Sequence, residues 1–140
     1  IKKAKSYGFC FGVKRAVEIA ENSKNAVTLG PLIHNPLEIE RLAKNYNVNY
    51  VNSIDEIDEN IKRVIVRTHG IPKERLQKLK EKQVEVIDAT CPFVKKPQEI
   101  VEEMSKAGYD IVIFGDKNHP EIQGVMSYAV HDRVYVVLTP

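Results

Sequence analysis

Short runs of Val and Ile, each too brief for a helix, recur along the whole chain. They are Val27-Thr28-Leu29, Val48 to Val51, Arg63 to Thr68, Val84 to Ala89, Asp110 to Phe114 and Arg133 to Leu138. Apolar runs of this kind, without strict alternation, belong to strands covered on both faces, and that requires helices on either side of a parallel sheet. The segments between them carry apolar residues at helical spacing. Val13-Lys14-Arg15-Ala16-Val17-Glu18-Ile19-Ala20 predicts a helix starting just after Cys10, and Pro36 opens another running through Ala43. Pro72 opens a third, to about Lys82, and Pro120 a later one, to about Ala129. Ser53 with Glu56 has the form of a capping box. Pro92 can open a helix as well, but Pro97 falls inside it and removes a backbone donor, so that helix is expected to start late or to kink. The fold class is therefore α/β, with parallel sheets flanked by helices. The strand-helix series restarts near Cys91, so any lobe boundary is expected there, between residues 1–91 and 92–140.

Composition limits the function classes. In 140 residues, 43% are apolar and 29% charged, and the formal net charge is only +2. The cations are interleaved with carboxylates, as in Lys73-Glu74-Arg75, which marks solvated helix faces and gives no nucleic-acid footprint. No run reaches the length of a membrane span, and Ile1-Lys2-Lys3-Ala4-Lys5 does not lead into an apolar signal segment, so the expected location is cytoplasmic. An initial Ile and a final uncovered strand read as cut ends. Cys10 and Cys91 are too few for a disulfide scaffold and too far apart for a C-x-x-C pair, so any joint role has to come from the fold.

Reactive side chains concentrate where the strands end. His34 follows the Val27 strand, His69 the Arg63 strand, Cys91 the Val84 strand, and His119 with Glu121 the Asp110 strand. Open α/β sheets bind ligands at the carboxyl ends of their strands, so one rim carries nearly all of this chemistry. Each group also precedes a helix start, where free backbone donors and the helix dipole favour a thiolate or a phosphate. Taken singly, each cysteine reads as a buried free thiol and each histidine as a loop residue. In Tyr7-Gly8-Phe9-Cys10-Phe11-Gly12 the glycines permit close backbone approach and the aromatics can shield a metal cluster. Glu121 at a helix start gains from the dipole with or without a catalytic role. His131, in a turn, reads as surface.

The segments Gly8-Phe9-Cys10-Phe11-Gly12-Val13, His34-Asn35-Pro36, Thr68-His69-Gly70, Asp88-Ala89-Thr90-Cys91-Pro92 and Gly115-Asp116-Lys117-Asn118-His119-Pro120-Glu121 together resemble the 4-hydroxy-3-methylbut-2-enyl diphosphate reductases. These are the iron–sulfur enzymes that end the methylerythritol phosphate route to isoprenoids. The resemblance implies three similar lobes around a central [4Fe-4S] cluster, with Cys10 and Cys91 as two of its ligands. It implies that His34, His69 and His119 hold the diphosphate of an allylic substrate and that Glu121 delivers protons as the hydroxyl leaves. The products would be isopentenyl and dimethylallyl diphosphate, and the electrons would come from a donor such as ferredoxin or flavodoxin. The family's third cysteine and the later Thr, Ser and Asn of the diphosphate site have no counterpart in these 140 residues. By this resemblance the chain is the amino-terminal portion of the enzyme and lacks part of its site.

Two other readings compete. A zinc-dependent hydrolase would use His119, Glu121 and a cysteine around a metal-bound water, although no short H-x-x-x-H pair anchors such a metal. A non-catalytic phosphate-binding scaffold would keep the rim without the cluster.

Overall fold

The computed structural model describes Lys2, Ala4, Lys5 and residues 7–138. Ile1, read above as a cut end, and Pro140, the expected limit of the second lobe, lie outside the described residues. The described residues form helices α1 (Phe11–Asn22), α2 (Pro36–Tyr46), α3 (Lys73–Glu81), α4 (Pro92–Lys106) and α5 (Pro120–Met126). The strands are β1 (Val27–Leu29), β2 (Asn49–Val51), β3 (Arg63–Val66), β4 (Glu85–Asp88), β5 (Ile111–Phe114) and β6 (Val134–Val137). Every strand pairing is parallel: β2-β1-β3-β4 make one sheet and β5-β6 a second. The α/β expectation holds.

Strand β3 shows how the first sheet is buried on both faces. Ile65 joins Ala16, Val17, Ala20 and Leu42 under α1 and α2, whereas Val64 and Val66 join Ile71 and Leu79 under α3. Alternation along one strand thus feeds two cores, and all three residues are at most 2% exposed. The second sheet has one packed face. Ile111, Ile113 and Val134 meet Val101 and Met104 of α4 and Val125 of α5. The opposite face leaves Val112, Phe114, Tyr135 and Val137 exposed.

The elements differ from the sequence expectations mainly at their ends. Helix α2 runs past Ala43 to Tyr46 because Asn47 takes a left-handed C-cap, with φ 54°. Helix α4 does not start late, and it continues through Pro97. It begins at Pro92, and Pro97, its sixth residue, lies inside it. Helix α5 stops at Met126, before Ala129, and Ser127 caps it by bonding back to Gly124 O at 2.6 Å. Ser53 and Glu56 do form a capping box, around a 3-10 turn at Ile54–Glu56. No helix among the described residues is long and apolar enough to cross a membrane.

Three contacts fix the second sheet's helices against the first sheet. The backbone N–H of Lys73 donates to Ser127 Oγ at 2.9 Å, Lys73 Nζ pairs with Glu102 at 2.9 Å, and Gly124 packs under the carbonyl of His69. Through them α5, which carries His119 and Glu121, is held beside the loop that carries His69.

Candidate functional site

The strand ends do converge. The rings of His34 and His69 lie 4.9 Å apart between centroids, and those of His69 and His119 lie 6.1 Å apart. Their loops are locked by backbone-directed bonds. Thr68 is buried and donates its hydroxyl to Leu32 O at 3.2 Å, which joins the His34 and His69 loops. Asn35 caps α2 by accepting from Glu38 N at 3.2 Å, which fixes the turn that presents His34. His119 caps α5 with its own ring: Glu121 N donates to Nδ1 at 3.2 Å, so His119 and Glu121 form one rigid corner. A cavity of about 250 Å³ opens here, lined by Phe9, Val13, Ile33, His34, Thr68 and His69.

His69 is the central ring of the three. Burial holds its pKa below the usual imidazole value, and the nearby charges of His34, Arg67 and His119 press the same way. Its Nδ1 is enclosed and has no partner. The cost of charging His69 is thus set by its burial and by its neighbours, and an anion placed against that ring would relieve it.

The two cysteines occupy equivalent positions. Cys10 is the N-cap of α1 and Cys91 the N-cap of α4, and neither side chain is used to cap its helix. The sulfur of Cys91 lies over Gly12, where an added Cβ would collide with it and would stand 3.0 Å from the Cys91 Cβ. Both thiols are free, with Cys10 exposed and Cys91 half-buried. Phe11 and Phe93, each close in sequence to one cysteine, meet edge to face with centroids 6.3 Å apart. The Cys91 turn is braced as well. Cys91 N donates to Thr68 O at 2.9 Å, Arg15 Nη1 donates to Thr90 O at 3.2 Å, and Asp88 accepts from Thr90 N at 3.0 Å. Burial pushes the Asp88 carboxyl up, but the hydrogen bonds from Thr90 and Lys95 outweigh it and leave its pKa low.

Among the described residues no three His, Cys, Asp or Glu side chains gather into a metal-holding group. A zinc site of His119, Glu121 and a cysteine therefore has no geometric support. Two bare thiols at helix starts, with a glycine where any side chain would strike the sulfur, do suit a cluster that takes its remaining ligand from elsewhere.

The LytB protein family model matches residues 1–140. The chain belongs to the LytB family. Its LytB relatives include the 4-hydroxy-3-methylbut-2-enyl diphosphate reductase of Nautilia profundicola, 87% identical over 140 residues, which are all of this chain and 51% of that protein. The reductase of the same name from Nitratiruptor sp. is 73% identical over 92% of this chain and 46% of its own length. A solved structure of (E)-4-hydroxy-3-methyl-but-2-enyl diphosphate reductase, described as the terminal enzyme of the non-mevalonate pathway, aligns with TM-score 0.82 and 43% identity. It covers 94% of this chain and 48% of that one. The E-1-hydroxy-2-methyl-but-2-enyl-4-diphosphate reductase structure from Plasmodium falciparum gives TM-score 0.86 at 29% identity, over 96% of this chain and 43% of that one. This LytB chain thus spans about half the length of the curated relatives it matches.

Sequence reasoning missed several enclosed polar groups, one of them beside the His69 loop. Gln98 is 3% exposed, and its Nε2, without a partner, lies against Gly70 and Gly124. Nothing in the sequence of α4 singles it out. His131, read as a surface residue, is half-buried with both ring nitrogens enclosed and unpartnered. Arg67 also has an enclosed, unpartnered Nε.

Proposed function

We propose that these 140 residues supply the first part of a reductase that removes the hydroxyl of (E)-4-hydroxy-3-methylbut-2-enyl diphosphate, giving isopentenyl and dimethylallyl diphosphate. The observation that carries this reading is the convergence of His34, His69 and His119 on a rim where two helices start at cysteines whose thiols are left free. Cys10 and Cys91 would hold two irons of a [4Fe-4S] cluster, and in this reading the third cysteine lies beyond the chain. When bound, the cluster supplies two electrons, drawn from a donor such as ferredoxin or flavodoxin, and an iron with Lewis-acid character.

The chain's own residues do the rest. The three histidines donate to the diphosphate oxygens and fix the chain of the substrate. Glu121, held at the His119 corner, carries the protons that accompany C–O cleavage: one leaves with the hydroxyl as water and one ends on carbon. Phe9, Phe11 and Phe93 are exposed in this chain and supply apolar surface on the thiol side. Residues 1–91 and 92–140 would form successive α/β lobes of a larger, cytoplasmic protein.

The test is anaerobic purification and reconstitution with iron and sulfide, comparing the chain with a Cys10→Ser, Cys91→Ser double variant. The expected result is a broad sulfide-to-iron absorption band with bound iron, both lost in the variant. Iron retained in the variant would reject the cysteine assignment; iron absent from both proteins would make this chain by itself an incomplete, phosphate-binding scaffold and move the same comparison to the longer protein. In the longer protein containing this sequence, Glu121→Gln should keep iron and diphosphate binding while losing most turnover. Normal turnover would remove Glu121 from the proton path.

A further inference from the structure

The histidine rim is not the sole place where positive charge faces a cavity. Arg15, Arg41, Arg63 and Arg133 each donate to a carboxylate or a carbonyl. Arg67 and Arg75 have no such bond or ion pair among the described residues, and they share a cavity of about 270 Å³. Gly30, Pro31, Asn52 and Gln123 complete its working wall, and no Asp or Glu lines it. Arg67 is half-buried, and its Nε is enclosed without an acceptor. Burial lowers its pKa, and the like charge of Arg75 lowers it further. The enclosed Nε, with a second guanidinium on the same cavity, carries a desolvation cost that no acceptor among the described residues offsets.

The local backbone is arranged to keep it there. Gly30 turns the chain after β1 at φ 77°, and a Cβ at that position would stand 3.0 Å from Arg67 Nη1. A side chain would therefore be both strained and in the way of the guanidinium. Pro72, the N-cap of α3, also borders the cavity, so the positive end of that nine-residue helix faces the same space. Two guanidinium forks, two neutral amides and a helix start form a donor set with no acceptor charge of its own. That is the chemistry of a tetrahedral oxyanion site.

We propose that this cavity is a second anion site, separate from the histidine rim, which binds phosphate or the phosphate group of a small metabolite between Arg67 and Arg75. Asn52 and Gln123 donate to the remaining oxygens, and the volume leaves room for an organic group beyond the phosphate. An anion here would also neutralise the Arg67 charge that acts on His69, so occupancy of the two sites is electrostatically coupled.

The test is calorimetric titration of the chain with inorganic phosphate and with glycerol 3-phosphate in a chloride buffer. The variants are Arg67→Gln, Arg75→Gln and a His34→Ala, His119→Ala pair. Saturable binding is expected to survive in the histidine pair and to weaken about tenfold or more in each arginine variant, as for loss of a charged hydrogen bond. Tighter binding of the ester identifies an organic phosphate as the occupant, and equal or weaker binding identifies free phosphate. Arg75 is exposed, so Arg75→Gln keeps the test valid even if Arg67→Gln misfolds. Phosphate binding that disappears with the histidine pair, that is untouched by Arg75→Gln, or that never saturates at millimolar concentration overturns the proposal. Because the histidine pair removes only the rim, failure here is distinguishable from failure of the reductase reading.

Discussion

At Gly12 the absence of a side chain is what lets the Cys91 sulfur approach the first turn of α1. A methyl group there has to displace either the thiol or the helix. Gly12→Ala is therefore expected to cost about 1–3 kcal/mol, the usual penalty of overpacking, despite alanine's better helix propensity. Denaturant unfolding measures the loss, and iron uptake in the reconstituted protein should fall in parallel; an unchanged midpoint would mean that the thiol moves aside freely. His69 gives a pH prediction. Its folded pKa lies below its unfolded value, so the unfolded chain binds more protons as pH drops past that value. Stability is then present at neutral pH, is lost as pH falls through about 6.5, and levels off below the folded pKa. A His69→Asn variant should show a flatter stability profile as pH falls below neutral through about 6.5. An equally steep profile would assign the acid sensitivity to other groups.

Helices α1, α2, α4 and α5 each begin at a residue of the rim or next to one, so the helix ends set the geometry of the site. Asn35 shows the cost of losing such an end. Its side chain caps α2 at Glu38 N, and Asn35→Ala should reduce stability by about 1 kcal/mol and loosen the turn that holds His34. Thermal unfolding measures the first effect, and weaker diphosphate binding reports the second. If binding weakens with no change in stability, Asn35 contacts the ligand itself. Helix α4 makes the opposite point, because Pro97 sits where a donor to Phe93 O is required and the helix continues regardless. Propensity for a break is overridden by the apolar face of α4, where Val94, Val101 and the buried Gln98 are already committed to the interior.

Across the whole molecule, the first sheet is covered on both faces and the second on one. The open face presents Val112 and Phe114 on β5 opposite Tyr135 and Val137 on β6. A contiguous apolar surface of that kind binds hydrophobic dyes and promotes self-association. Phe114→Lys is expected to lower both dye fluorescence and concentration-dependent light scattering without changing far-UV circular dichroism. Unchanged dye binding would place the sticky surface elsewhere, for instance at Phe9, Phe11 and Phe93.

The sequence by itself determined the element order, the parallel class and the rim, because strand burial, proline helix starts and strand-end placement are written in local patterns. Every strand expected from Val- and Ile-rich runs is present, within two residues at either end. It also singled out Cys10, His34, His69, Cys91, His119 and Glu121 as candidates, since their types and helix-start positions are local features. Only the tertiary structure decided which of them meet. The 4.9 Å approach of His34 to His69, the sulfur of Cys91 over Gly12, the enclosure of His131 and the two unpaired arginines each join or bury residues far apart in sequence. Periodicity carries no information about such pairs, because they are set by which strands lie side by side and by how closely the helices pack on them.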